Sequence, residues 1–260
     1  MINKTPQKMK ETPIVSVDLE DEFDAHAGAG VSKEARDNLI QTIKILQPLS
    51  PEVLEGYGAP GNFYMRGEED PAAQELLFQP CGMSDAWFEF VPREAGSGFV
   101  ARYPVNGYRR DGTPLPPPGA EYVDGYHVVF EDSGNNCIHY RLVPGLVWNN
   151  GHPKEFVLSF YSTGHTVARQ WNSKWLHKFT KSGKIAPACS HIYKLTTIKK
   201  TTKKGTWYLV ETDAGTPINA SEAIPDPKLA ASLGLSLTDA WERGAKVSKM
   251  DTFDAAEDSA

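Results

Sequence analysis

"HIYKLTTIKKTTKKGTWYLV", residues 191–210, alternates rings and β-branched residues with lysines, and it breaks once, at "TTKKG". A period of two is that of a strand, so the stretch reads as two strands joined by a tight turn. On the first strand His191, Tyr193, Leu195, Thr197 and Lys199 share one side, while Ile192, Lys194, Thr196, Ile198 and Lys200 share the other. Trp207 and Tyr208 return along the partner strand, and Lys203 and Lys204 cap the turn. Five lysines and four rings, counting the imidazole, stand here without one acid.

The same strand chemistry recurs upstream. "AWFEFV" (86–91), "GFVARY" (98–103), "YHVVFED" (126–132), "CIHYRLV" (137–143) and "EFVLSFYS" (155–162) are short and rich in aromatic or β-branched residues. "PVNGYRRDGTPLPPPGAEY" reads as a long loop, because its prolines and glycines cannot sit in a central strand. "GHTVARQWNSKWLHKF" (164–179) predicts a helix whose Ala168, Trp171, Trp175 and Phe179 form one stripe, with Lys174, Lys178 and Lys181 on the next. A short helix is also expected from Ser32 through "KEARDNLIQTIKIL", and two weak helical stretches after Pro227 and Ser236.

Short strands without regular βαβ alternation predict a mainly β (α+β) chain. The pattern suits an OB-fold-like antiparallel barrel with an inserted helix and short C-terminal helices, and also an α+β sandwich. The expected organisation is a flexible N-terminal arm (1–30), an OB-like nucleic-acid-binding domain (31–225), and a segment of short helices and acidic tail (226–260).

Charge sharpens the reading. The 260 residues carry a formal net charge of −6, yet residues 151–210 hold eleven Lys and Arg against one acid. A field of that kind attracts polyanions locally, whatever the sign of the total. Single-stranded nucleic acid is the fitting partner, since cations track phosphates while rings stack on bases. The candidate contacts are Arg169, Lys174, Lys178, Lys194, Lys199, Lys200, Lys203 and Lys204 for phosphates, and Tyr193, Trp207 and Tyr208 for bases. Adjacent arginines in "YRR" (108–110) are a weaker addition, and Trp171 and Trp175 are assigned to packing against the sheet. The tail "MDTFDAAEDSA" has four acids and two apolar anchors, Met250 and Phe253, which suits docking on basic pockets of partner proteins.

Other chemistries fit less well. Cys137-Ile138-His139 and Cys189-Ser190-His191 place two Cys-x-His pairs on strands, but zinc ligands ordinarily sit on knuckles or turns. Three cysteines argue against a disulfide framework. There is no Gly-x-Ser-x-Gly elbow, no phosphate-cradling glycine loop and no His-Glu-x-x-His helix, so no catalytic residue, metal or cofactor is expected. The N-terminus lacks the apolar core of a signal peptide, and no apolar run approaches a membrane span, so a cytoplasmic protein without membrane association is expected.

The stretches "TIKILQPLSPEVLEGYGAPGNFY", "LSFYSTGHTVARQWNSKW" and "HIYKLTTIKKTTKKGTWYLV" resemble a family of bacteriophage and prophage proteins from replication and recombination gene clusters. In broad plan the chain is similar to phage single-stranded-DNA-binding proteins of the OB-fold type, although its tail is less acidic than is typical of them. The resemblance implies a non-catalytic protein that coats single strands in the host cytoplasm, with replication or recombination proteins as partners of the tail. The competing readings are an adaptor or inhibitor that presents the basic face to an acidic host protein, and a metal-dependent nuclease.

Overall fold

A computed structural model describes residues 39–247, apart from positions 69, 97, 125, 126, 204 and 245. The expected N-terminal arm, the "MDTFDAAEDSA" tail and Lys204 therefore lie outside the described residues.

The 14-residue strand β9 (Asn136–Asn149) organises the sheet. Its C-terminal half pairs with β10 (His152–Phe160) on one side and β4 (Leu76–Pro80) on the other; its N-terminal half pairs with β5 (Ser84–Val91) and β8 (Val128–Phe130). Beyond β4 lie β11 (His191–Thr202) and β12 (Gly205–Thr212). Beyond β10 lie β1 (Leu39–Ile45), β2 (Phe63–Met65) and β3 (Ala72–Ala73), with the four-residue helix α1 (Pro51–Leu54) between β1 and β2. β6 (Gly98–Pro104) extends β5, β7 (Ala120–Tyr122) extends β8, β13 (Thr216–Pro217) pairs with β11, and β14 (Lys246–Val247) with β1. The result is a mostly β structure whose sheet curls into a half-barrel, with few helices.

Three expectations change. Residues 39–45 form a strand rather than the second half of a helix, because their β-branched side chains lie between β10 and β2. β1 runs parallel to β10, so the sheet is mixed rather than wholly antiparallel. β9 runs on past Val143, where the expected strand 137–143 ends, through Pro144 and Gly145. Gly145 is required at that point: a Cβ would sit 2.4 Å from the Phe78 ring and 2.6 Å from the Gln79 carbonyl.

Both faces of the sheet are buried. The inner face holds Ile43, Phe63, Phe78, Val143, Leu158, Tyr193 and Leu195, closed by helix α2 (Gly164–Leu176) through Ala168, Trp171 and Trp175. Trp171, fully buried, meets Phe78, Phe160, Trp175 and Tyr193 at centroid distances of 5.3–6.2 Å. The helical stripe is thus present through Trp175. Phe179 lies past the helix end and is 61% exposed. The outer face holds Phe88, Tyr140, Leu142, Trp148 and Ile192 under helix α3 (Pro227–Glu242), which contributes Ala230, Leu237 and Trp241. α3 is one continuous helix rather than two; Asp226 caps it by accepting from the Lys228 and Leu229 N–H groups, and Pro227 occupies its first turn.

A buried amide ties α3 to the sheet. Gln79, fully buried, donates from Nε2 to the carbonyls of Cys189 (2.7 Å) and Ala230 (3.0 Å) and accepts at Oε1 from Trp148 Nε1 (2.9 Å). Gln79→Leu removes a hydrogen bond from each of three buried groups and is expected to cost about 3 kcal/mol, read as a lowered denaturant midpoint. An unchanged midpoint would refute that role.

Candidate nucleic-acid interface

β11 contacts β4 only over Tyr193–Leu195; from Thr196 onward it pairs with β12 alone, and exposure rises toward the turn. The β11–β12 hairpin therefore projects from the sheet. Its register sets Lys199 opposite Tyr208 and Lys200 opposite Trp207, with Thr202 opposite Gly205 at the tip. Directly opposed residues share a face, so cations flank a ring on each side of the hairpin. Lys199, Lys200 and Lys203 are exposed, and among the described residues no carboxylate pairs with them.

The hairpin is anchored part-way along. Gln47, just past β1, accepts at Oε1 from the Tyr208 N–H (2.9 Å) and donates from Nε2 to the Tyr208 carbonyl (3.2 Å). Thr197 Oγ1 donates to the Gly61 carbonyl (2.7 Å). Gly61 has φ of +92° and lies under the Tyr208 ring, which a Cβ would meet at 2.6 Å, so both backbone and space demand glycine there. Tyr208 is accordingly half-buried, its ring lying over the Gly61 turn. Trp207 is half-buried on the opposite face beside Lys200 and Ile198, the latter 36% exposed.

Several expected contacts have other employment. Tyr193 is fully buried edge-on to Trp171 (5.5 Å), with burial and then the Asp213 charge pushing its hydroxyl up to about 12, so it does not stack on a base. Lys174 Nζ donates to the Thr212 carbonyl and hydroxyl and the Asp213 carbonyl (2.7–2.9 Å), and Lys178 Nζ to the Ala214 carbonyl (3.0 Å). Those two lysines clamp the chain leaving β12 to α2. Lys194 pairs with Glu75 at 2.5 Å. Arg169 is exposed on α2, with a long contact of 3.5 Å to Thr166 Oγ1. Among the described candidates the structure thus gathers Lys199, Lys200, Lys203 and Trp207 toward the tip, sets Tyr208 part-way along, and leaves Tyr193 and Lys194 at the hairpin's base, Arg169 and Lys174 on α2 and Lys178 just past it.

A family model, Pam3 phage gp34-like protein, matches residues 10–226. The chain belongs to that family. The phage side of the resemblance is thereby supported. No curated protein and no solved structure matches this gp34-like chain.

Two features of this family member escaped the sequence. The first is a cavity of about 250 Å³ bordered by Lys44, Glu52, Glu55, Tyr57, Tyr64 and Arg66. No pattern in the sequence pointed to it, because its walls come from β1, β2 and the chain between them. The second is a polar cluster where β5, β9, α2 and the proline-rich loop meet. Asp85 Oδ1 lies 3.1 Å from Arg141 Nε and 3.8 Å from His139 Nε2, and Asp85 Oδ2 accepts from the Tyr108 hydroxyl. His165 stacks on His139 (4.6 Å, 17°), its Nε2 placed 3.1 Å from the His139 carbonyl. The "YRR" loop is thus pinned inward: Tyr108 reaches Asp85, and the Arg109 guanidinium covers the Tyr122 ring at 4.5 Å. The two Cys-x-His pairs occupy different places, Cys137 beside Trp87 and Val128, and Cys189 in the core beneath α3. Among the described residues no group of three or more His, Cys, Asp or Glu is arranged to hold a metal ion.

Burial lowers His139 to about 4, opposed by Asp85 and assisted by Arg141; burial, then His139 and Arg141, lower His165 to about 4. Each imidazole is neutral in the fold and takes up its proton sooner when unfolded, near pH 6.5. The stability from these groups is complete above that value and is lost as pH falls from there toward 4. Each histidine is expected to withdraw about 2 kcal/mol between about pH 7.5 and 5. Denaturant titrations at both pH values check this, and His165→Gln should flatten the dependence. A slope unchanged in that variant would count against it.

Proposed function

We propose that the chain is a non-catalytic phage protein that binds single-stranded DNA during replication or recombination in the host cytoplasm, through the tip of the β11–β12 hairpin. The observation that carries the reading is the trio of exposed, unpaired lysines Lys199, Lys200 and Lys203 flanking Trp207. Three cations neutralise phosphates without sequence preference, and a ring on the same hairpin offers one stacking surface. The curled sheet would serve as the rigid base that an OB-type barrel provides in such proteins, and the acidic C-terminal segment would engage replication or recombination proteins. Among the described residues no helix is long and apolar enough to cross a membrane.

A second reading rests on a separate surface. After α2 the chain forms a small hairpin, with Phe179 bridged to Ile185, that exposes Leu176 (49%), Phe179 (61%) and Ile185 (57%) beside Lys181 and Lys184. Exposed apolar residues rimmed by cations suit an acidic protein partner, which an adaptor or inhibitor would bind.

Titration of the intrinsic tryptophans with oligothymidine at low and high salt, with duplex DNA as control, tests the first reading. The single strand is expected to quench in a salt-sensitive way and the duplex not. Lys199→Ala, Lys200→Ala and Lys203→Ala combined should weaken binding at least tenfold and reduce the salt slope by about 2. Trp207→Ala should cost about 1–3 kcal/mol. An unchanged salt slope in the triple variant would remove the hairpin from the interface. Silence toward both nucleic acids at low salt would transfer the function to the apolar surface after α2.

A further inference from the structure

β1 and β2 set Lys44 opposite Tyr64, and the neighbouring Ile43, Phe63 and Met65 face the inner core. Side chains alternate along a strand, so Lys44 and Tyr64 point away from that core. On the hairpin Leu195 and Val210 belong to the inner core, so Lys200 and Trp207 point away from it as well. The bonds from Gln47 to Tyr208 and from Thr197 to Gly61 join the chain between β1 and β2 to the β11–β12 hairpin. The two outward-facing groups are thus neighbours on one surface. Lys44 stands three residues before Gln47, and Trp207 is next to Tyr208, so at about 3.3 Å per residue they are about 10–15 Å apart.

The cavity of about 250 Å³ opens on this surface. Within its wall Lys44 Nζ pairs with Glu52 at 3.0 Å, and both side chains are nearly covered (12% and 13% exposed). Glu55 and Tyr57 are exposed around it, Tyr57 at 55%, with Tyr64 half-buried. Rings suit the face of a base, and a carboxylate only accepts hydrogen bonds. Among pyrimidines, cytosine offers an amino donor at N4 where thymine has an oxygen acceptor.

We propose that this cavity is a base-binding subsite for the strand held by the hairpin, and that Glu55 makes it prefer cytosine to thymine. The subsite deepens the single-strand reading and rests on it. A chain with the hairpin alone binds without regard to base, whereas one with this cavity carries a modest composition preference.

The test compares fluorescently labelled oligodeoxycytidine and oligothymidine of equal length, bound to the full chain at neutral pH and followed by anisotropy. Oligodeoxycytidine is expected to bind about fivefold more tightly, the equivalent of one hydrogen bond of about 1 kcal/mol. In Glu55→Gln the ratio should fall to near one, because the amide both donates and accepts, while the salt slope set by the hairpin stays as it was. Tyr57→Ala should weaken both oligomers and Tyr57→Phe neither. Equal binding of the two oligomers by the unaltered chain, or a preference that survives both Glu55→Gln and Tyr57→Ala, would overturn the subsite and leave the hairpin reading standing. Failure of both oligomers to bind would overturn the single-strand reading and the subsite with it.

Discussion

The side-chain amide of Gln47 does the work of a strand. An edge strand presents unpaired N–H and C=O groups that need partners. At β12 one glutamine supplies both an acceptor and a donor to a single residue, Tyr208. The neighbouring bond from Thr197 to Gly61, and the Tyr208 ring seated on that glycine, complete the junction. Through it one flank of the curled sheet reaches the other without a continuous ladder. The hairpin, which β4 supports only as far as Leu195, is thereby held at its middle and left free at its tip. Both the exposed lysines and their closeness to the cavity of Lys44, Tyr57 and Arg66 depend on this junction.

The sheet can carry such a projection because it is buried on both faces. α2 fills the concave side with Trp171 and Trp175, and α3 covers the convex side with Leu237 and Trp241. Burial on both sides makes register expensive to change, since a one-residue slip would exchange the two cores. Three hydrogen bonds at Gln79 add direction to the apolar contacts on the α3 side. Thr238 Oγ1 donating to the Cys81 carbonyl (2.7 Å) and Trp241 Nε1 to Ser84 Oγ (3.1 Å) extend that attachment along the helix.

Much of this frame was legible because strand periodicity is local. The alternation in 191–210 and the segments 86–91, 98–103 and 155–162 correspond to β11–β12, β5, β6 and β10, and the α2 stripe to Ala168, Trp171 and Trp175. The misreadings occur where tertiary contact overrides local signal. "LIQTIKI" is ambiguous by itself and becomes a strand between β10 and β2. The expected strand 137–143 stops before Pro144-Gly145, which stays in β9 because Phe78 packs against the glycine. The cluster of Asp85, Tyr108, His139, Arg141 and His165 was invisible for a related reason: its five members come from four separate places in the chain and meet only in the folded sheet. Of the eleven candidate contacts, the hairpin-tip lysines were readable from exposure at a turn, whereas the burial of Tyr193 depends on α2 packing over it.

The basic block between residues 151 and 210 consequently serves two ends. Lys174 and Lys178 are spent on backbone carbonyls, and Lys194 and Lys154 on Glu75 and Glu68, so these cations stabilise the chain that carries them. Exposed pairs of this kind contribute little individually, about 0–1 kcal/mol. Their larger effect is on the field: Glu75 and Glu68 neutralise Lys194 and Lys154, while Lys174 and Lys178 keep their charge on backbone carbonyls, so the tip carries a cluster of lysines that no carboxylate among the described residues offsets. In a chain whose flanking segments are acidic, a polyanion is repelled over most of the surface and drawn to that tip. A chain of evenly spread lysines with the same total charge would lack that focus. The acidic remainder of the sequence therefore sharpens the contrast between the basic block and the rest of the chain.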